Sequence, residues 1–195
     1  MDTNLAYKNW QDPCREELIG GKVVLMSPSP TWSHVAAAGN IYRIFANHLH
    51  RKKCVPIPDG FDLHLDEENI FIPDMMVVCD RSKIKNNGVY GAPDLVVEVL
   101  SPSTGKNDRG RKMEVYSRCG VREYWIVSTA EKTVERYLLQ DGRLTLHEVH
   151  AVYQDWELEQ LSEQERAAAT APFHCSLYDD LDISLDDIFD GLLPG

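Results

Sequence analysis

An aspartate directly after Ile72-Pro73 and a glutamate held between Val97 and Val99 are the residues of this chain whose surroundings most demand chemistry. Asp74 and Glu98 both lie on or beside strand-like apolar runs, where an uncompensated carboxylate costs several kcal/mol. A divalent cation is one compensating partner. Mg2+ or Mn2+ takes carboxylate oxygens and keeps several waters, so two protein carboxylates make a normal clamp. Such an ion acidifies a bound water and stabilises a phosphorane-like oxyanion, while a lysine ammonium neutralises the phosphate. A lysine, Lys112, follows on a predicted helix, where Asp108, Lys112 and Tyr116 are spaced by four and share one face. A buried Glu98–Lys112 ion pair without a metal satisfies the same pattern.

The elements that must position these groups are legible in part. Leu95 to Leu100 is a near-continuous aliphatic run, the pattern of a strand covered on both faces. Alternation sends Asp94, Val96, Glu98 and Leu100 to one side of it. Asp94, after Pro93, reads first as a strand-start group and second as a supporting group of the site. Upstream, Lys22 to Met26 reads as a strand broken by Ser27-Pro28-Ser29-Pro30. Val35, Ala38, Ile41, Ile44, Phe45 and Leu49 then mark one stripe of a helix from Ser33 to about His50. His34, at its start, reads as a cap or a satisfied partner, with a role as supporting group or general base as the alternative. Asp62 to Asp66 and Ile70 to Cys79 form a hairpin in which Pro73 marks an edge or a bulge. A helix capped at Asn107 or Asp108 runs to Arg118 and closes at Gly120. Strands follow at Glu123 to Ser128, Thr133 to Gln140 and Arg143 to His150, the last two joined at Asp141-Gly142. Ser162 and Glu165 form a capping-box pattern.

Composition bounds the class. With 195 residues the chain reads as one domain spanning 1–195, with an N-terminal lead over 1–15 and an acidic segment over 154–195. No apolar run approaches the roughly 20 residues that span a bilayer, and the first residues lack a signal-peptide pattern, so the expectation is a cytoplasmic protein with no membrane contact. Five cysteines, none at zinc-ligand spacing, read as reduced small hydrophobes. Ser101 and Ser103 lack a nucleophile-elbow context, and Gly105-Lys106-Asn107 lacks the upstream glycine of a phosphate loop. The net charge of -11 opposes nucleic-acid binding by the chain as a whole. Its distribution is uneven: Gln154 to Asp190 holds 11 acids against Arg166, whereas Arg81 to Arg122 holds 9 bases against 4 acids. Lys106, Arg109 and Arg111 in that stretch are the candidate phosphate contacts; a solvated charged surface reads equally well.

Pro73-Asp74, the block from Pro93 to Thr104, Asp108 with Lys112 and Tyr116, and Gly120 to Trp125 together resemble the Uma2 family, also called DUF820, placed among restriction-endonuclease-like PD-(D/E)XK nucleases. The resemblance reaches Glu17 to Gly21 and Ser27 to His34 upstream, and Leu181 to Phe189 downstream. It implies an α/β restriction-endonuclease-like core, a mixed curved sheet flanked by helices, and Mg2+- or Mn2+-dependent hydrolysis of DNA phosphodiester bonds. Asp74 matches the first acidic position and Glu98 the acid of the (D/E)XK element. Leu100 stands where the lysine belongs, so the pattern turns to Lys112, with Lys106 as a weaker substitute. That departure supports a second expectation: a nuclease-like scaffold that has lost catalysis and serves as a binding or oligomerisation module. The resemblance also implies a homodimer, for which Tyr124-Trp125 or Leu181 to Leu193 are the candidate contacts.

Overall fold

In a computed structural model, which describes residues 15–26, 29–101 and 105–193, Pro73 is the point at which the chain changes sheet. The apolar run expected as one return strand is two: β5 (Asn69–Phe71) ends before the proline and β6 (Met75–Val78) begins after it. Proline has no N–H to donate to a ladder, so pairing stops there and the chain leaves one sheet for the other.

The first sheet joins β1 (Glu16–Ile19), β2 (Lys22–Leu25), β4 (Leu63–Asp66), β5, β7 (Ile84–Lys85) and β8 (Gly88–Tyr90) in the order β2-β1-β5-β4-β8-β7. The second joins β3 (Val55–Pro58), β6, β9 (Leu95–Val99), β10 (Glu123–Ser128), β11 (Thr133–Gln140) and β12 (Arg143–Ala151) in the order β12-β11-β10-β9-β6-β3. Both sheets are mixed: β9 and β10 run parallel, as do β4 and β8, while the other pairs are antiparallel. Every residue of β9 is buried, as its unbroken aliphatic run requires.

The two faces of the second sheet meet different partners. On one, α1 (Trp32–His48) lays Ala37, Ile41 and Phe45 against Met75, Val77, Leu95, Val97 and Trp125. On the other, Val96, Tyr124 and Ile126 meet Leu63 and Phe71 of the first sheet and Tyr116 of α2 (Met113–Cys119). A turn of helix at Gly105–Asn107 and a π-helical turn at Asp108–Lys112 lead into α2, which ends at Gly120 in the left-handed conformation the sequence predicts.

The acidic C-terminal stretch packs onto the core. It forms α3 (Asp155–Leu158), α4 (Glu163–Ala169), β13 (Phe173–His174), β14 (Asp182–Ile183) and α5 (Leu185–Ile188), and the capping box at Ser162 and Glu165 is present. Phe173, Leu181, Ile183 and Ile188 join the α1 side of the core, and Asn40 of α1 donates to the carbonyls of Ile188 and Asp190. A buried carboxylate anchors the middle of this segment: Glu123 accepts from Trp125 Nε1 at 2.7 Å, Arg136 Nε at 3.3 Å and the Ser176 amide at 3.0 Å.

Three expectations are corrected. Tyr124 and Trp125 are fully buried within the chain and cannot supply a contact to a second copy, whereas in the Leu181 to Leu193 segment Leu181 and Ile188 join the chain's own core and Leu193 stays exposed. The cysteines are not all reduced: the β3–β6 register pairs Val55 with Val78, which sets Cys54 opposite Cys79, and the two form a disulfide. Strands β1, β3, β7, β8, β13 and β14 are not in the sequence reading: β1 (Glu16-Glu17-Leu18-Ile19) shows no alternation, β3 carries Pro56 and Pro58, and the others are two or three residues long. Most of the N-terminal lead with Cys14, the Ser27-Pro28 break, and Ser103 with its neighbours Pro102 and Thr104 lie outside the described residues. No helix among those described is long and apolar enough to cross a membrane.

The disulfide closes a loop across a sequence separation of 25. Replacing Cys54 and Cys79 by serine is expected to lower the unfolding free energy by about 3 kcal/mol. Urea denaturation with and without reductant checks this: reductant should bring the parent chain to the variant's midpoint and leave the variant unmoved.

Candidate active site

Three strands, a π-helical turn and two helices bring ionisable groups to a single place. The β6–β9 register sets Met75 opposite Val97, so one step outward Asp74 stands opposite Glu98. Asp74 is fixed there by the Val99 amide, which donates to its Oδ2 at 2.6 Å. Glu98 lies on the face of β9 turned toward α2, as alternation predicts, and is buried. Burying it is tolerated because donors reach in from the helix: Lys112 Nζ lies 3.0 Å and Tyr116 Oη 2.8 Å from Glu98 Oε1.

Lys112 is the centre of a larger set. Its Nζ lies 2.9 Å from Glu17 Oε1 of β1, 3.0 Å from Glu98 Oε1 and 3.5 Å from Asp108 Oδ1, with the lysine side chain only 2% exposed. The Phe71 ring lies beneath the ammonium, its centroid 5.6 Å away. The π-helical turn makes this possible. Gly110 departs from helical geometry (φ -117°, ψ -105°), and the distortion turns both Asp108 and Lys112 inward.

One ammonium against three buried carboxylates leaves an excess of negative charge. Burial pushes the Glu98 carboxyl well above the usual carboxylate range; Lys112 opposes this, and Asp108, Asp74 and Glu17 reinforce it. For Lys112, burial alone would favour the neutral amine, but Glu98, Glu17 and Asp108 together outweigh it and hold the ammonium charged. With Lys112 and Tyr116 both donating to Oε1, a proton on Glu98 belongs on Oε2.

His34 sits in the first turn of α1, its Nε2 3.4 Å from Asp74 Oδ1, and both side chains are partly exposed. Burial would lower the imidazole pKa, yet the hydrogen bond and charge of Asp74, aided by the Val99 backbone, raise it. Asp74 and His34 therefore form the open edge of the cluster, and Glu98 and Lys112 its closed interior.

The fit of a divalent ion can be judged from these contacts. Asp74 Oδ2 is taken by the Val99 amide, Oδ1 faces His34, and Glu98 Oε1 carries two donors. Mg2+ demands a near-octahedral shell with several waters, and ligation by Glu98 Oε1 would have to displace the Lys112 and Tyr116 donors. Among the described residues no group of three or more His, Cys, Asp or Glu is placed to hold a metal ion. The residues as arranged do not fit the ion.

Of the other expected residues, Asp94 lies at the far end of β9, where it accepts from the Cys79 amide at 2.8 Å and faces Arg122. Leu100 packs with the apolar side chains around Tyr116, filling by hydrophobic contact the place where a lysine would emerge. The candidate phosphate contacts are dispersed: Arg109 is paired with Glu135, the Arg111 guanidinium lies against Gly20, and Lys106 is exposed. Glu17 escaped the reading of individual residues. Glu17 follows Glu16 and precedes Leu18-Ile19, so its neighbours do not mark it as buried in the way that Val97 and Val99 mark Glu98.

A mixed α/β fold in which acids on two adjacent strands meet a lysine from the following helix is a restriction-endonuclease-like core. The chain belongs to the Uma2 family, whose model, described as "Putative restriction endonuclease", matches residues 6–171. It is 30% identical over 139 residues to an uncharacterized protein of Synechocystis sp., covering 69% of this chain and 73% of that one. The crystal structure of "a putative nuclease belonging to DUF820" from Anabaena variabilis shares the fold, with a TM-score of 0.67 at 18% identity over 94% of both chains.

The charge balance sets a pH dependence. Glu98 holds its proton more tightly folded than unfolded, so its contribution to stability is fully present at acid pH and is lost as pH rises toward its raised folded value. Glu98→Gln removes that loss. The unfolding free energy, measured by urea from about pH 5 to about pH 8, is expected to fall less steeply with pH in the variant than in the parent chain. Lys112→Met leaves the carboxylates without their cation and is expected to cost about 3 to 5 kcal/mol at neutral pH, with partial recovery on acidification.

Proposed function

We propose that this chain is a nuclease-like scaffold that works as a binding module, spanning 1–195 as one unit, with its acid–lysine cluster closed on itself. The observation that carries this reading is the state of Lys112. Its ammonium is shared among Glu17, Glu98 and Asp108 and is withdrawn from solvent, so it presents no face to a phosphate. Leu100 in the lysine position and the His34 contact on Asp74 support the same reading, because each occupies a place that metal-dependent hydrolysis needs.

A second reading is favoured by one specific observation. Lys112 is brought by the π-helical turn to within 3.0 Å of Glu98, beside Asp74, which restores from the helix the lysine that β9 lacks. On that reading the chain is a Mg2+- or Mn2+-dependent endonuclease acting on DNA, with Asp74 and Glu98 as the metal ligands and Lys112 as the counter-charge of the phosphate. It requires the cluster to open.

Calorimetric titration of Mn2+ into the parent chain, Asp74→Ala and Glu98→Ala, with supercoiled plasmid incubated in parallel, separates the two. The closed scaffold is expected to show no saturable heat and no plasmid nicking. Saturable binding lost in both variants, with nicking lost in Lys112→Ala, establishes the endonuclease instead.

A further inference from the structure

The chain is acidic overall, yet the end of the second sheet remote from Asp74 is basic. Arg51, Lys52 and Lys53 follow α1, and Arg81 and Lys83 follow β6. Two features fix these loops to each other. Arg81 donates from Nε to the Lys53 carbonyl at 2.8 Å and from Nη2 to the Lys52 carbonyl at 3.0 Å, and the Cys54–Cys79 disulfide joins the adjoining residues. Arg81 thereby holds its charge beside those of its neighbours through backbone contacts and uses no carboxylate to do so. Three acids intervene. Asp180 pairs with Lys52 at 3.2 Å; Asp80 is held charged by Ser82 and, beyond it, by Lys83 and Lys53; Asp94 accepts from the Cys79 amide and faces Arg122. Five cations from the two loops against three carboxylates, one of them met by Arg122, leave a local excess of positive charge, with His48 and His50 alongside.

The geometry points to this knuckle as a docking surface for the phosphate backbone of a nucleic acid, which names the partner class of the binding module proposed above and rests on that reading. Cations held on a braced pair of loops lose little freedom on meeting a row of phosphates, and release of counterions drives the contact. The neighbouring edge favours the same partner over strand addition, because β3 carries Pro56 and Pro58 and is a poor template for another chain.

Fluorescence anisotropy with a labelled DNA duplex in EDTA tests the assignment without metal chemistry. The parent chain is expected to bind at low salt. Arg51→Glu/Lys53→Glu should weaken binding at least about tenfold and reduce the slope of log K against log salt by about 2. A control with the same charge change on other edges, Lys22→Glu/Arg143→Glu, should stay close to the parent, and far-UV melting should show all three chains folded. The assignment is overturned by a parent chain that does not bind, by equal losses in both double variants, or by binding to phosphatidylserine vesicles in place of the duplex. A chain that nicks plasmid with Mn2+ yet loses duplex affinity on knuckle reversal keeps the docking surface and rejects the binding-only reading.

Discussion

Burying one lysine ammonium among three carboxylates is the constraint on which the rest of this structure turns. Glu17 comes from the first sheet, Glu98 from the centre of the second, and Asp108 and Lys112 from the turn that precedes α2. Each carboxylate needs the cation and the cation needs them all, because an isolated buried charge is far costlier than a hydrogen-bonded set. Glu17 Oε1 also accepts the Ile72 amide at 2.9 Å, just ahead of the proline where the chain passes between sheets. The cluster therefore ties together the elements that carry it, and the departure of the turn from α-helical geometry at Gly110 follows from the need to aim two side chains inward.

The second sheet carries a buried ion pair on each face. On the α2 side Lys112 meets Glu98; on the α1 side Arg136 meets Glu123, which also receives Trp125 and Ser176. The second pair is close to balanced in charge and pins the C-terminal segment, a structural task. The first is overfilled with acid and lies behind a partly exposed His34–Asp74 edge, the arrangement expected where a fold keeps functional chemistry or its remnant. Its closed state and the basic knuckle at the other end of β6 are what motivate the proposal of a nuclease-like framework that holds a polyanion without cutting it.

Much of this was legible in the chain itself. The unbroken run of β9 announced a central strand, Glu98 within it announced a buried partner, and the spacing of Asp108, Lys112 and Tyr116 announced the face that supplies one. The α1 stripe and the Gly120 stop were equally plain. What stayed hidden was set by pairing at a distance. The order Glu16-Glu17-Leu18-Ile19 shows no alternation, so β1 and with it Glu17 stayed hidden. The Cys54–Cys79 bond depends on the β3–β6 register, which no spacing of cysteines reveals. The basic stretch from Arg81 to Arg122 promised a field around the site, but Arg109, Arg118 and Arg122 each meet a carboxylate from elsewhere in the chain, while Arg81 joins the 51–53 loop and Lys83 donates to the Ala92 carbonyl.

The state of the Lys112 ammonium is the claim most directly open to measurement. Lysine-selective 15N NMR at neutral pH, with Lys112→Met for assignment, reads whether that group exchanges its protons with water. The account predicts one protected ammonium resonance that is absent from the variant and unmoved by added Mg2+. A Lys112 signal that exchanges as fast as the surface lysines, or that shifts saturably with Mg2+, would contradict it.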